Sequence, residues 1–87
     1  MPTIARAENV AFVDRPEEVV VALLPSGPIR ILQGPTVVVW DLLAEGPMAR
    51  DAVVTEVLAA FEDTPPEAAG QLEEAIDQLL AGGFLTA

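Results

Sequence analysis

The chain contains no lysine, histidine, cysteine or tyrosine, and only four arginines stand against fourteen acidic residues. Each absence removes a class of function. No thiol or imidazole is available as a soft metal ligand, and the usual nucleophiles and general bases of neutral pH are missing. Without lysine no Schiff base can form. Without cysteine there is no disulfide framework, which makes a reducing compartment the natural setting. A formal net charge of −10 on 87 residues repels phosphate backbones. Long apolar runs are missing too. No stretch approaches the ~18 residues of a membrane span, and Met1 to Val10, which carries Arg6 and Glu8, does not read as a signal peptide. The expectation is a soluble cytoplasmic protein that is not an enzyme, holds no cofactor or metal, and has neither nucleic acid nor membrane as its partner. What remains is a domain that binds something, with a peptide the foremost candidate.

The residues that are present argue for an ordered core. Apolar residues make up 52% of the chain, mostly Val, Leu and Ala, with Phe12, Trp40, Phe61 and Phe84 as the aromatics. Residues 1–87 read as one domain, of a size that buries roughly 60–65% of its unfolded surface. Arg6, Arg15, Arg30 and Arg50 are scattered singly, whereas acids cluster at Glu62-Asp63, Glu67, Glu73-Glu74 and Asp77. That cluster is either a solvated helical face or an acidic surface for a basic partner segment.

The hydrophobic period changes near Gly34. Before it lie three short strand-like runs, Val10 to Val13, Val19 to Leu24 and Ile29 to Leu32, separated by Asp14-Arg15-Pro16-Glu17 and Pro25-Ser26-Gly27-Pro28. Two tight links predict an antiparallel meander. In the third run Ile29 and Ile31 point one way, Arg30 and Leu32 the other. Its flanks, Pro28 and Gly34-Pro35, place it at the sheet edge. After Gly34 three helices are expected. The first spans Thr36 to Ala44, with Pro35 at its start and Gly46-Pro47 at its stop, although Val37 to Trp40 is strand-like by propensity. The second runs from about Ala49 to Phe61, weakly capped, with Val53, Val57 and Phe61 stacked. The third has Thr64 as N-cap, Pro65 as its first residue, Glu67 completing the box, and Gly82-Gly83 as its end. On its helical wheel Ala68, Ala69, Leu72, Ala75, Ile76, Leu79 and Leu80 fill about 140°. Glu73 and Asp77 border one flank of that arc, Gln71 and Gln78 the other. Phe84-Leu85 reads as an extended tail returning to the core. The predicted class is α+β: a winged-helix-like arrangement of a three-stranded antiparallel sheet followed by three helices, sharing one core.

Few chemistries fit these residues. The paired carboxylates Glu17-Glu18, Glu62-Asp63 and Glu73-Glu74 are sequence neighbours that point apart, unlike a cleft pair with split pKa values. There is no phosphate-cradling glycine loop and no acidic loop of the calcium-binding kind. Ser26, the only serine, has no histidine to activate it. The third helix carries no arginine or lysine with which to read DNA. The remaining device is the edge strand, whose unpaired backbone groups accept an extended peptide; alternatively Pro28 and Pro35 merely blunt it.

Two segments together resemble a known family. Ala22-Leu23-Leu24, Gly27-Pro28-Ile29-Arg30-Ile31-Leu32-Gln33-Gly34 and Val39-Trp40-Asp41-Leu42-Leu43-Ala44-Glu45-Gly46 form the first. Leu72 with Ile76-Asp77-Gln78-Leu79-Leu80-Ala81-Gly82-Gly83-Phe84-Leu85 forms the second. Over roughly Val10 to Leu85 this pattern is similar to the pyrroloquinoline quinone biosynthesis protein D family, the precursor-peptide recognition elements of ribosomally made peptide pathways. The resemblance implies a non-catalytic domain that binds the leader of a precursor peptide. The leader would lie as an added strand on the third strand, against the third helix, and be presented to a partner modifying enzyme such as a protease, cyclase or radical enzyme. Lasso-peptide biosynthesis is one such setting. On this chain the implied edge is Ile29, Arg30, Ile31 and Leu32, and the implied helix wall is Ala69, Leu72, Glu73, Ile76, Asp77 and Leu80. Leu72 and Ile76 also fit as plain core. Arg30 fits an acidic leader residue or an acid of its own domain. Glu73 and Asp77 fit a basic leader residue or water. The chain departs from the family pattern at Met48, where a Ser or Thr cap is usual, and in the Pro25-Ser26-Gly27-Pro28 link. The alternatives are a structural or regulatory docking subunit of a larger enzyme, or a chaperone in pyrroloquinoline quinone biosynthesis.

Overall fold

In the computed structural model, which describes residues 3–61 and 65–87, the three expected strands form one antiparallel sheet and three helices follow it. The strands are β2 (Val10–Asp14), β3 (Glu18–Leu23) and β4 (Ile29–Gln33), in the order β2-β3-β4. Alternation along β3 explains why the sheet forms. Val19 and Val21 are buried on one face, while Val20 and Ala22 on the other are only half-buried. The register places Ile31 opposite Val20 and Arg30 opposite Val21, with Phe12 on the other side of Val21. Both links are tight: Arg15 N–H donates to Glu18 C=O at 2.9 Å, and Gly27 N–H to Leu23 C=O at 2.7 Å.

A second sheet was not expected. β1 (Thr3–Arg6) lies between two-residue strands, β5 (Met48–Ala49) and β6 (Leu85–Thr86), in the order β5-β1-β6. It buries Ile4 and is followed by buried Ala7. β6 is the predicted returning tail, and Phe84 and Leu85 are both buried in the core.

The strand-like run Val37 to Trp40 is helical. Gly34 adopts φ 59°, ψ −131°, a conformation only glycine takes cheaply, and it turns the chain so that Pro35 begins α1 (Pro35–Leu42). The helix then buries Val39 and Trp40, and a 3₁₀ turn, Leu43–Glu45, adds Leu43 to the same side. Burial of one helical stripe outweighs β-propensity here. α2 (Arg50–Ala59) has the expected weak start, with Ala49 as N-cap and no side-chain cap bond, and it buries Val53 and Val57. Phe61 does not complete that stack: it lies beyond the helix end and is 39% exposed.

The third helix starts later than predicted. α3 (Ala68–Ala81) has Glu67 at its N-cap with no side-chain cap bond, and Thr64 lies outside the described residues. Pro66 disfavours the helical conformation for Pro65, so only a turn, closed by Ala68 N–H to Pro65 C=O at 3.0 Å, precedes the helix. Its end matches the expectation. Gly83 has φ 84°, Phe84 N–H bonds Leu79 C=O at 3.0 Å, and Gly83 N–H bonds Leu80 C=O at 3.1 Å. This is a Schellman termination, and Phe84 and Leu79 are buried together in the core behind it.

One cluster joins Val19, Val21 and Leu32 of the sheet to Val39 and Trp40 of α1, Val53 and Val57 of α2, and Leu72, Ile76 and Leu79 of α3. The fold is thus mixed α+β, a three-stranded antiparallel sheet with three helices, an order compatible with a winged-helix-like arrangement. Among the described residues no helix is long and apolar enough to cross a membrane, and no group of three acidic, histidine or cysteine residues converges as a metal site.

Candidate peptide-binding edge

β4 is an edge strand, and hydrogen-bond parity shows which of its backbone groups are open. Leu23 N–H donates to Pro28 C=O at 3.1 Å. Closely spaced pairs of an antiparallel ladder alternate, so Val21/Arg30 and Val19/Leu32 exchange bonds, and the backbone of Arg30 and Leu32 faces β3. The N–H and C=O groups of Ile29, Ile31 and Gln33 face away from the sheet. Gln33 is already occupied: its N–H donates to Thr36 Oγ1 at 3.1 Å, and the Thr36 hydroxyl donates back to Gln33 C=O at 2.7 Å. Ile29 and Ile31 remain, with four backbone groups that face away from β3 and have no hydrogen-bond partner among the described residues. Their side chains lie on the outer face of the sheet, 70% and 56% exposed, as the alternation predicted.

Arg30 and Leu32 point to the helical side. Leu32 is 2% exposed and belongs to the core, so its side chain is not a groove contact. Arg30 is half-buried at the edge. Among the described residues the other three arginines all have polar partners: Arg6 on Trp40, Arg15 near Glu18, and Arg50 on Glu73 and Asp77. Arg30 has neither an ion pair nor a hydrogen bond among them.

The implied helix-wall residues fall into three settings. Leu72 and Ile76 are core residues, packed with the sheet and the other helices. Ala69 and Leu80 are half-buried. Glu73 and Asp77 are partly exposed, and both are tied to the start of α2. Arg50 Nε donates to Glu73 Oε1 at 2.7 Å, and Arg50 Nη2 meets Asp77 Oδ1 at 2.8 Å and the Glu73 carbonyl at 3.0 Å. The Glu73 hydrogen bond is the main cause that raises the Arg50 pKa above its ordinary value, against the opposing effect of burial.

The open space lies on the opposite flank of α3. A cavity of about 400 Å³ is lined by Pro35 and Thr36 at the start of α1, Val57, Leu58 and Phe61 from α2 and its end, and Pro65, Ala68, Gln71, Leu72 and Ala75 along α3. Among the described residues no charged side chain lines it, and the volume lies within the range of small-ligand sites. Thr36 connects it to the edge, since the same residue that ties off Gln33 forms part of the cavity wall. Sequence reasoning missed Pro35, Thr36, Phe61, Gln71 and Ala75. The available signal was the polarity of the two helix flanks. A pocket for apolar side chains belongs beside the neutral Gln71/Gln78 flank, whereas the acidic flank calls for a cation.

At the far edge of the sheet, Arg6 forms a second cluster that no local pattern announced. Its Nε and Nη2 donate to Trp40 C=O at 2.9 and 2.6 Å. Its guanidinium lies 4.4 Å from the Trp40 ring centroid and 4.9 Å from that of Phe12, and the two rings meet edge to face at 5.5 Å. Burial lowers the Arg6 pKa, and Asp41 and Asp14 partly offset it. The cluster ties β1 to α1 and β2 and covers the helical side of the β2 edge.

No protein family, curated protein or solved structure matches the chain.

Proposed function

We propose that this protein is a non-catalytic peptide-binding domain that takes up an extended segment as a fourth strand on β4. The reading extends to the leader of a ribosomally made precursor peptide, handed to a partner protease, cyclase or radical enzyme in a lasso-peptide or related pathway. The observation that carries it is the open edge at Ile29 and Ile31, beyond whose end Thr36 both bonds Gln33 and lines a cavity without charged side chains among the described residues. Strand addition supplies affinity that is loose in sequence, and pockets beside the strand supply selectivity. Presentation then works by raising the local concentration of the attached core peptide at the partner's active site.

Magnitudes support the pairing of edge and cavity. Four backbone hydrogen bonds at a net ~0.5–1.5 kcal/mol each fall short of the ~8 kcal/mol of a micromolar complex, before the cost of ordering the peptide. Burying one or two apolar side chains adds about 1.5–3 kcal/mol each, and the cavity is where they fit. Arg30, without a polar partner among the described residues, favours a carboxylate on the peptide residue beside it.

The test is calorimetric titration with a synthetic extended leader-like peptide of alternating apolar residues with one aspartate, compared with two versions N-methylated at alternate positions. An added strand loses binding in one version and keeps it in the other, because only every second peptide N–H faces β4. Equal tolerance of both versions contradicts strand addition.

A further inference from the structure

The open edge of β4 is short because it is closed at both ends. Backbone groups that face away from β3 recur at every second residue. Counting by two from Ile29 and Ile31 leads to Gly27 on one side and Gln33 on the other. Gly27 lies in the turn, and its N–H donates to Leu23 C=O at 2.7 Å. Gln33 is the last residue of β4, and Gly34 then turns the chain into α1. One side chain satisfies both backbone groups of Gln33. The Thr36 hydroxyl accepts its N–H at 3.1 Å and donates to its C=O at 2.7 Å. A residue of an added antiparallel strand would make the same two bonds at this place. Thr36 therefore occupies the next rung of the ladder from within the chain.

We infer that Thr36 is a ladder stop: it confines an added strand to the two rungs at Ile29 and Ile31, so the edge takes peptides with a short extended stretch rather than a long strand. The inference rests on the reading of β4 as a peptide-binding edge. Two rungs lie about 7 Å apart along a strand, so the peptide needs only three residues in extended conformation. In antiparallel pairing the outer two of these bond Ile31 and Ile29. The middle one lies opposite Arg30, with its side chain on the same helical face. Outside this stretch the peptide meets no further rung among the described residues. Residues without an N–H, such as proline, are tolerated there and at the middle position, but not at the two rungs. A window of two rungs also gives every two-residue shift of the peptide the same backbone bonds. Register is then chosen by side chains, foremost by the one facing Arg30. At the Gln33 end the peptide leaves the ladder beside Thr36, which is also part of the cavity wall. The two bonds between Gln33 and Thr36 are exposed, so loss of the hydroxyl returns the Gln33 groups to water instead of burying them unpaired.

The test is a single-position N-methyl scan of a synthetic extended peptide of alternating apolar residues with one aspartate. Each version is titrated calorimetrically into the intact wild-type chain, Thr36→Ala and Thr36→Ser. In the wild type, methylation is expected to weaken binding ~10-fold or more at two positions, two residues apart, and little elsewhere. Thr36→Ala removes the hydroxyl and the space it fills. It should gain a third sensitive position, two residues further along, and bind the unmodified peptide more tightly. Thr36→Ser keeps the hydroxyl and should match the wild type. Three or more alternate sensitive positions in the wild type overturn the stop and leave strand addition standing. No binding, or equal tolerance at every position, overturns strand addition and the stop with it. A Thr36→Ala chain that melts at lower temperature but still shows only two sensitive positions makes Thr36 a support of α1 alone, which also overturns the inference. The wild-type scan decides the matter even where Thr36→Ala does not fold.

Discussion

Among single residues, Arg30 and Arg50 have opposite surroundings and opposite predicted roles. Arg50 is 19% exposed and bonded to two carboxylates and a carbonyl, so its duty is structural. Glu73→Ala leaves that guanidinium short of a partner. Because Glu73 is itself 44% exposed, the charge-assisted bond is discounted to about 1 kcal/mol. A thermal melt should show Tm lower by roughly 4–8 °C for a domain of this size, with peptide affinity unchanged. Arg30 has no such bonds among the described residues. Arg30→Ala should leave Tm within about 2–4 °C of wild type, as a surface change of ±0.5 kcal/mol does. It should weaken binding of a leader carrying an acid at the facing position and flatten the salt dependence of that binding. Loss of stability without loss of affinity in Arg30→Ala would place this residue among the structural arginines.

Individual elements show what local pattern can and cannot carry. α3 ends where its glycines indicate, and Gly83 holds φ 84°. A Cβ there meets only the Leu23 methyls at 3.4 and 3.7 Å, so Gly83→Ala should cost the left-handed strain of about 1–2 kcal/mol, read as a lower denaturant midpoint at unchanged m. Ala75→Leu is expected to move two observables apart: filling the cavity raises Tm while weakening the leader peptide about tenfold, by removing space worth one apolar side chain. The edge position of β4 was legible because Pro28 and Gly34-Pro35 bracket it. That Ile29 and Ile31 point opposite to Arg30 and Leu32 follows from strand parity, but which pair faces the core does not. What was not legible depends on distant partners. β1 gains its identity from two-residue strands more than 40 positions away, and Arg6 from a carbonyl 34 residues along. Glu73 and Asp77 are paired with Arg50, which lies 23 residues before Glu73. A helical wheel ranks faces by polarity, but it does not say which neighbour lies on which side.

At the scale of the whole molecule the dominant quantity is the net charge of −10. Self-repulsion at this density destabilises the compact state, so added salt should raise Tm before any specific ion effect is considered. A charge of this sign repels phosphate backbones. A domain with this charge and no thiol, imidazole or lysine has its open backbone edge as its most usable chemical resource, and amide hydrogen exchange measures that edge directly. On addition of the leader peptide the amides of Ile29 and Ile31 are predicted to gain protection of ~10-fold or more, while Arg30 and Leu32, already bonded to β3, change little. A tight complex in which Ile29 and Ile31 keep exchanging as in the free protein would contradict the account.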